Sequence, residues 1–172
     1  MPGIKLTYLI CFDDHRTFTE DVKKRFSDTS RYEVVSFNTS QDFLTSFHKE
    51  RDISSCKVGI IGVPDNREQF GTIGNLSQEI KKIDQDSGII LLVSAEKLED
   101  LKKAIRYNID AYIPRNANAI LRIHNTVKKL ISEHSITVFR KKRNISLYVL
   151  LAFLIISAII ILISYLKLPQ YF

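Results

Sequence analysis

Near its C-terminus the sequence contains an apolar segment long enough to cross a lipid bilayer. From Ile145 to Leu166 there is no charged residue, no glycine and no proline. With a rise of about 1.5 Å per residue, a helix of this length spans about 33 Å, whereas the hydrocarbon core of a bilayer is about 30 Å thick. β-Branched residues are frequent here, but in lipid only a helix pairs its own backbone groups. The sequence therefore predicts one transmembrane helix over residues 145–166.

Basic residues flank this segment unequally, and the imbalance predicts its orientation. Four of them immediately precede it: Arg140, Lys141, Lys142 and Arg143. Only Lys167 follows. Because the more basic flank stays in the cytoplasm, residues 1–144 are expected at the cytoplasmic face of the inner membrane, with residues 167–172 outside. The N-terminus lacks the basic stretch and long apolar run of a signal peptide, so the C-terminal helix itself is expected to direct insertion.

The charge of the chain gives no indication of a nucleic-acid partner. Residues 1–139 hold all 19 acidic residues and 20 of the 25 basic ones, so this part is nearly neutral although the whole chain carries +6. The excess lies in residues 140–143, which also suit contact with anionic lipid headgroups. Cys11 and Cys56 lack metal-ligand spacing and are expected to be free thiols in the cytoplasm.

Strand-like and helix-like patterns alternate through the first 133 residues. The strand-like runs are apolar and lie at 5–12, 32–37, 57–63, 88–95 and 110–115. The helix-like segments lie at 17–28, 40–47, 76–83, 98–107 and 119–131. Residues 64–74 are polar, contain glycine and predict a loop. Such alternation predicts an α/β fold with a parallel sheet covered on both faces.

Functional groups in such sheets gather where the strands end. In parallel α/β folds the ligand site lies outside the carboxyl ends of the strands. The residues at those predicted ends are Asp13, Asp14, Gly62, Ser94 and Arg115. They form the candidate site, a predicted acidic pocket with one cation.

In the order and spacing of these features the chain resembles the receiver domain of response regulators, a family of chemotaxis-regulator-like domains. The acidic pair Asp13 and Asp14 matches the pair that follows the family's first strand. QEIKKIDQDSGIILLVSA resembles the third helix, loop and fourth strand, up to the hydroxyl position at Ser94. NIDAYIPR resembles the fifth strand, with the switch aromatic Tyr112 three residues before the basic position, Arg115. The resemblance implies a doubly wound, flavodoxin-like sheet of five parallel strands in the order 2-1-3-4-5, and a role in two-component signalling.

The expected organisation follows from combining the resemblance with the apolar segment. It comprises a receiver-like domain at 1–133, a basic connector at 134–144, a transmembrane helix at 145–166 and a short extracytoplasmic tail at 167–172. Residues 132–137 include weak helix formers, so a break in the fifth helix is expected there.

The chain departs from the family where the family's chemistry takes place. Gly62 stands at the position of the phosphoacceptor aspartate and has no carboxylate, and Arg115 replaces the family's lysine. The sequence therefore predicts a pseudo-receiver that is not an enzyme, with Asp65 as an alternative, displaced acceptor. No metal is expected as a stable component. Three states of the acids remain open: weak Mg²⁺ binding at Asp13 and Asp14, an ion pair with Arg115 in place of the metal, or plain solvation.

The resemblance also implies a partner surface. Receivers usually bind partners through the fourth helix, the fifth strand and the fifth helix, where Lys102, Lys103, Arg106 and Tyr107 lie in this chain. We expect a membrane-tethered protein–protein interaction module, and the same face could pair two copies of the chain. The alternatives are a working phosphoreceiver that uses Asp65 and a structural subunit of a membrane assembly that packs through residues 145–166.

Overall fold

The computed structural model describes residues 6–13, 16–48, 55–64, 66, 70–105 and 108–167. The chain divides into two compact units, Met1–His134 and Ser135–Phe172, and each is described by itself.

The first unit is built on a five-stranded parallel sheet. Its strands are β1 (Thr7–Phe12), β2 (Tyr32–Phe37), β3 (Cys56–Gly62), β4 (Gly88–Val93) and β5 (Ala111–Pro114). Their spatial order is β2-β1-β3-β4-β5, and every neighbouring pair is parallel. All six residues of β4 are buried, as expected for a central strand covered on both faces. The predicted α/β class and strand order are confirmed.

Helices cover both faces of this sheet. They are α1 (Arg16–Arg25), α2 (Ser40–His48), α3 (Phe70–Ile83), α4 (Leu98–Ala104) and α5 (Ala119–Lys167). A short 3₁₀ turn, Ala95–Lys97, precedes α4. Apolar side chains of α1 and of the beginning of α5 pack on one face, and those of α2, α3 and α4 pack on the other. The sheet is therefore doubly wound.

Alternate residues of each strand enter the two cores. On the α1 and α5 face, Ile60 of β3 packs in one cluster with Val22 and Ile123. On the opposite face, Ile61 packs in a cluster with Phe43 of α2 and with residues of α3 and α4. Each fully buried side chain of this size contributes about 1.5–3 kcal/mol relative to an exposed one. The alternation fixes the strand register, because a slip by one residue would exchange the two faces.

The loop predicted at 64–74 is shorter than expected. Helix α3 begins at Phe70, so Gly71 and Gly74 are helical. Glycine costs about 1 kcal/mol in a helix relative to alanine. Phe70 and Ile73 are buried in the same core as Leu76, and this burial offsets that cost.

The break expected in the fifth helix is wrong. The secondary structure is helical at every residue from Ala119 to Lys167. The sequence has neither glycine nor proline between Pro114 and Pro169, and weak helix formers cost at most about 0.7 kcal/mol each. In the second unit, the large apolar side chains described between Ile145 and Leu162 are exposed. By length and composition this helix can cross a membrane.

Two buried cysteines lie on neighbouring strands of the sheet. Cys56 of β3 is paired in register with Thr7 of β1, and Cys11 follows four residues later along β1. That offset is about 13 Å along the strand, beyond the roughly 7 Å that a disulfide can bridge. Both cysteines are free thiols. Burial raises the pKa of Cys11 and of Cys56 to about 12.

Helix α5 approaches β4 very closely at one glycine. A Cβ atom at Gly88 would lie 2.7 Å from Cδ1 of Leu130, closer than real Cβ contacts. Glycine therefore allows the helix to pack directly on the start of β4.

Candidate functional site

The predicted site residues come from four parallel strands and meet at the carboxyl-end edge of the sheet. Gly62 ends β3, whereas Asp13, Ser94 and Arg115 directly follow β1, β4 and β5. Backbone hydrogen bonds continue past the last strand residues. The Arg115 N–H donates to the Val93 carbonyl oxygen at 2.8 Å, which fixes the start of the loop that carries the guanidinium.

Asp13 and Arg115 form a two-point ion pair. Nη1 of Arg115 lies 3.0 Å from Oδ2 of Asp13, and Nη2 donates a hydrogen bond to Oδ1 at 3.2 Å. The Asp13 side chain is 2% exposed and the Arg115 side chain 25% exposed. The guanidinium carbon also lies 6.0 Å from the ring centroid of Phe18 in α1, within cation–π range. Of the three states that the sequence left open for Asp13, the structure contains the ion pair.

The pair occupies the space in which a side chain at position 62 would stand. A Cβ atom on Gly62 would lie 2.5 Å from Cγ of Asp13 and 2.6 Å from Nη2 of Arg115. Both distances are far below van der Waals contact, and neither neighbouring group is a freely moving chain end, because each is held by the other. Any residue larger than glycine at this position would therefore displace the Asp13–Arg115 pair.

Ser94 supplies a hydroxyl group at the same edge. It is the N-cap of the 3₁₀ turn, with an extended backbone (φ −60°, ψ 145°), but its side chain makes no capping hydrogen bond. Its Oγ is buried, and within the described part of the chain no hydrogen-bond partner contacts it. The hydroxyl thus remains available to a group that enters the site.

Two predicted acids, Asp14 and Asp65, lie outside the described residues, so weak Mg²⁺ binding at the acidic pair and the displaced acceptor stay predictions. Among the residues that are described, no three His, Cys, Asp or Glu side chains group together in a way that could hold a metal ion.

The predicted switch aromatic is bonded to helix α4. The Tyr112 hydroxyl donates a hydrogen bond to the backbone carbonyl of Ile105, the residue that caps α4. Its ring packs against the core of the α2–α4 face, and burial raises the pKa of the phenol. The sequence identified the aromatic residue but contained no signal for this hydroxyl partner.

The predicted partner surface is described in part. On α4, Lys102 is exposed and lies 2.9 Å from the Glu99 carboxylate, and Lys103 is exposed. Arg106 and Tyr107 lie outside the described residues. In the second unit Arg140 and Arg143 are exposed, while the side chains of Lys141 and Lys142 are not among those described.

A cavity of about 420 Å³ opens beside Gly62 and Asp13. Its apolar walls come from Phe12, Leu44 and Ile73, on β1, α2 and α3. Sequence reasoning missed this cavity, because the residues that line it belong to separate segments and only the folded sheet brings them together.

Comparison with known proteins supports the fold. No family model matches the sequence, and no curated protein matches it. A response regulator receiver domain protein from Clostridium thermocellum superposes with a TM-score of 0.58 at 18% identity, covering 77% of this chain and 98% of that one. A response regulator from Thermotoga maritima gives a TM-score of 0.55 at 19% identity, with coverages of 74% and 98%. An adenylate cyclase structure from Rhodopirellula baltica gives 0.62 at 15% identity, with coverages of 80% and 96%. The first unit therefore has the receiver-domain fold.

Proposed function

We propose that this chain is a membrane-tethered pseudo-receiver, a non-enzymatic interaction module that does not accept a phosphoryl group. One observation carries the proposal: the Asp13–Arg115 pair fills the space above Gly62 where an acceptor side chain would stand. Phosphoryl transfer to a protein needs a nucleophile, a divalent ion and a cation placed together. At this edge the nucleophile is replaced by glycine, and the cation is bound to the acid that would otherwise help to hold the metal.

Membrane tethering is supported by the second unit. The apolar side chains from Ile145 to Leu162 are exposed, and exposed Arg140 and Arg143 precede them. A bilayer would cover this apolar surface, and the basic flank would keep the first unit in the cytoplasm, at the inner membrane.

The proposed partner is a protein at the same membrane. The surface formed by α4, β5 and the beginning of α5 carries the exposed Lys102 and Lys103. Tethering two proteins to one membrane raises their effective concentration without any new contact. Even a partner with weak affinity for this surface would therefore be bound to it for much of the time. A second copy of this chain is the alternative occupant.

The test of the phosphorylation proposal uses full-length protein in detergent, incubated with acetyl phosphate and Mg²⁺ and examined by intact mass spectrometry. We expect no phosphoryl adduct. Gly62→Asp alone should also remain unmodified, because its carboxylate would have to displace the ion pair. Gly62→Asp combined with Arg115→Lys restores the family's residue types and is the matched positive variant. An adduct on the parent protein that disappears in Asp65→Ala would instead support the displaced acceptor.

The tethering proposal has its own test. The full-length chain should stay with membranes after carbonate and high-salt washes, and a fragment of residues 1–135 should not. A protease added to the cytoplasmic side should degrade the first unit. Release of the full-length chain by salt would contradict a spanning helix.

A further inference from the structure

Four consecutive basic residues surround helix α5 just before its apolar segment begins. They are Arg140, Lys141, Lys142 and Arg143, and the backbone is helical at all four positions. An α-helix has about 3.6 residues per turn, so successive residues are rotated by about 100° around the axis. Four consecutive positions therefore place one basic residue on each side of the helix. Residues 140–143 are called the basic ring below.

The second unit has no acidic side chain that could neutralise the basic ring. The sequence contains no aspartate or glutamate after Glu133. Glu133 belongs to the first unit, precedes Arg140 by seven positions, and its carboxylate lies 3.7 Å from Nζ of Lys129. Arg140 and Arg143 are exposed. The counter-charges of the ring therefore come from outside the second unit.

The ring lies at the depth of the lipid headgroups when residues 145–166 cross the bilayer. At a rise of about 1.5 Å per residue, residues 140–143 lie about 3–8 Å before Ile145 along the helix axis. The headgroup layer on each side of the hydrocarbon core is about 5–8 Å thick. Phosphate groups of the cytoplasmic leaflet would therefore lie level with the basic ring on every side of the helix.

The start of the apolar segment is suited to contact with lipid on several sides. Val149, Leu150 and Leu151 are successive, so they occupy three sides of the helix, and all three side chains are exposed. A protein packed along one side at headgroup depth would bury one cation of the ring away from water and phosphate. Such burial is costly unless the partner supplies a paired anion. A ring of cations therefore favours lipid as the neighbour at this depth.

We propose that the basic ring collects a shell of anionic phospholipids around α5 in the cytoplasmic leaflet. This shell rests on the membrane tethering proposed above and specifies the class of lipid that the chain selects. Each cation would attract a headgroup whose phosphate carries an uncompensated negative charge. A zwitterionic headgroup has its own cation beside the phosphate and would be attracted less. Because the cations surround the helix, the lipids would surround it too, rather than occupy one cleft.

A single tryptophan beside lipids with brominated acyl chains tests the shell, because bromine quenches tryptophan fluorescence only at short range. The sequence has no tryptophan. Full-length Val149→Trp, Leu150→Trp and Leu151→Trp variants report on three sides of the helix. Each is placed in phosphatidylcholine vesicles with a fixed minor fraction of phosphatidylglycerol, and either lipid carries the bromine. We expect phosphatidylglycerol to be enriched about two- to fivefold on all three sides, since one nearby cation favours an anionic headgroup by up to about fivefold.

Charge-removing variants assign the enrichment to individual members of the ring. Position 149 follows Lys142 by seven residues and position 151 follows Arg140 by eleven, both close to whole numbers of turns, so each pair shares one side. Lys142→Gln should therefore lower the enrichment seen with Val149→Trp more than that seen with Leu151→Trp. Arg140→Gln should do the reverse. Lys167→Gln, at the other end of the span, is the matched control and should change neither.

The outcomes separate the lipid shell from the tethering. Quenching by neither lipid would place the helix outside the bilayer and would overturn both. Quenching by both lipids in proportion to their bulk fractions would leave the tethering intact and overturn the shell. The shell would also be overturned by enrichment on one side only, or by a side that neither lipid reaches because a protein, such as a second copy of the chain, covers it. Equal effects of Lys142→Gln on the two tryptophan positions would overturn the ring as its cause.

Discussion

Replacing Arg115 by alanine should destabilise the first unit by an amount that the burial of its partner sets. The change removes the guanidinium that pairs with Asp13, whose side chain is 2% exposed. Breaking a buried ion pair by removing one partner costs about 3–5 kcal/mol, whereas an exposed pair contributes about 0–1 kcal/mol. Because the lost guanidinium was itself 25% exposed, water can reach part of the vacated space. We therefore expect a loss of about 2–4 kcal/mol in the free energy of unfolding.

Matched variants separate charge from geometry. Arg115→Lys keeps the cation but loses the two-point contact, so its loss should be smaller than that of alanine. Asp13→Asn leaves Arg115 as the unpaired charge, and its side chain is more exposed to water than that of Asp13. This change should therefore also cost less than Arg115→Ala. The double variant Asp13→Asn/Arg115→Ala should be more stable than the sum of the single changes predicts, because the buried charge is gone.

Magnesium provides the decisive comparison. If arginine stands in for a metal, the parent protein should unfold at the same urea concentration with EDTA or with Mg²⁺. Arg115→Ala should gain stability with Mg²⁺, since a ligand that binds only the folded state stabilises it. The assay is equilibrium urea unfolding of the fragment 1–135. Strong stabilisation of the parent by Mg²⁺, or an Arg115→Ala variant that unfolds like the parent, would refute the reasoning.

Three further predictions concern packing, a hydrogen bond and pH. Gly88→Ala should lower the free energy of unfolding in urea by about 1–3 kcal/mol, because the added methyl group overpacks against Leu130. Combining it with Leu130→Ala should cancel part of that added cost. An unchanged urea midpoint in Gly88→Ala would contradict the close contact. Tyr112→Phe removes the hydroxyl donor to the Ile105 carbonyl and should cost about 0.5–1.5 kcal/mol in the same assay; no loss would mean that the bond contributes nothing. Burial, reinforced by nearby cationic side chains, lowers the pKa of His124 below its ordinary 6.5. Between pH 6.5 and this lowered pKa the unfolded chain therefore binds more protons than the folded chain, so the free energy of unfolding should fall as the pH is lowered through this range. His124→Gln should flatten this dependence, measured by urea unfolding at a series of pH values.

The sheet could be predicted from the sequence because its signal is local. An uninterrupted apolar run such as Gly88–Val93 indicates a strand buried on both faces, and the alternation of such runs with helical patterns indicates a parallel sheet. The strand order came only with the resemblance to receivers. Helix boundaries were less predictable. Glycines at 71 and 74 suggested a loop, but the burial of Phe70 and Ile73, which depends on the whole core, made this stretch helical.

The sequence predicted which residues form the site but not how their charged groups interact. Spacing placed Asp13, Gly62 and Arg115 at one edge of the sheet, yet an ion pair, a metal site and plain solvation were all compatible with that spacing. Choosing among them depends on distances of 3.0–3.2 Å between residues 102 positions apart. The sequence likewise contains no signal for two further features. These are the overlap between a Cβ atom at position 62 and the Asp13–Arg115 pair, and the cavity beside that pair.

The two buried cysteines can serve as built-in probes of the unfolding of the sheet. In the native first unit, Cys11 and Cys56 are inaccessible, and their pKa of about 12 leaves almost no thiolate at neutral pH. When the sheet opens, both thiols meet water and return towards their ordinary pKa of 9.0. A thiol reagent would therefore modify the chain only in the open state, and the modification rate would report the free energy of opening. Because the readout is a mass increase, every variant above can be compared in intact membranes, without urea and without removing the C-terminal helix.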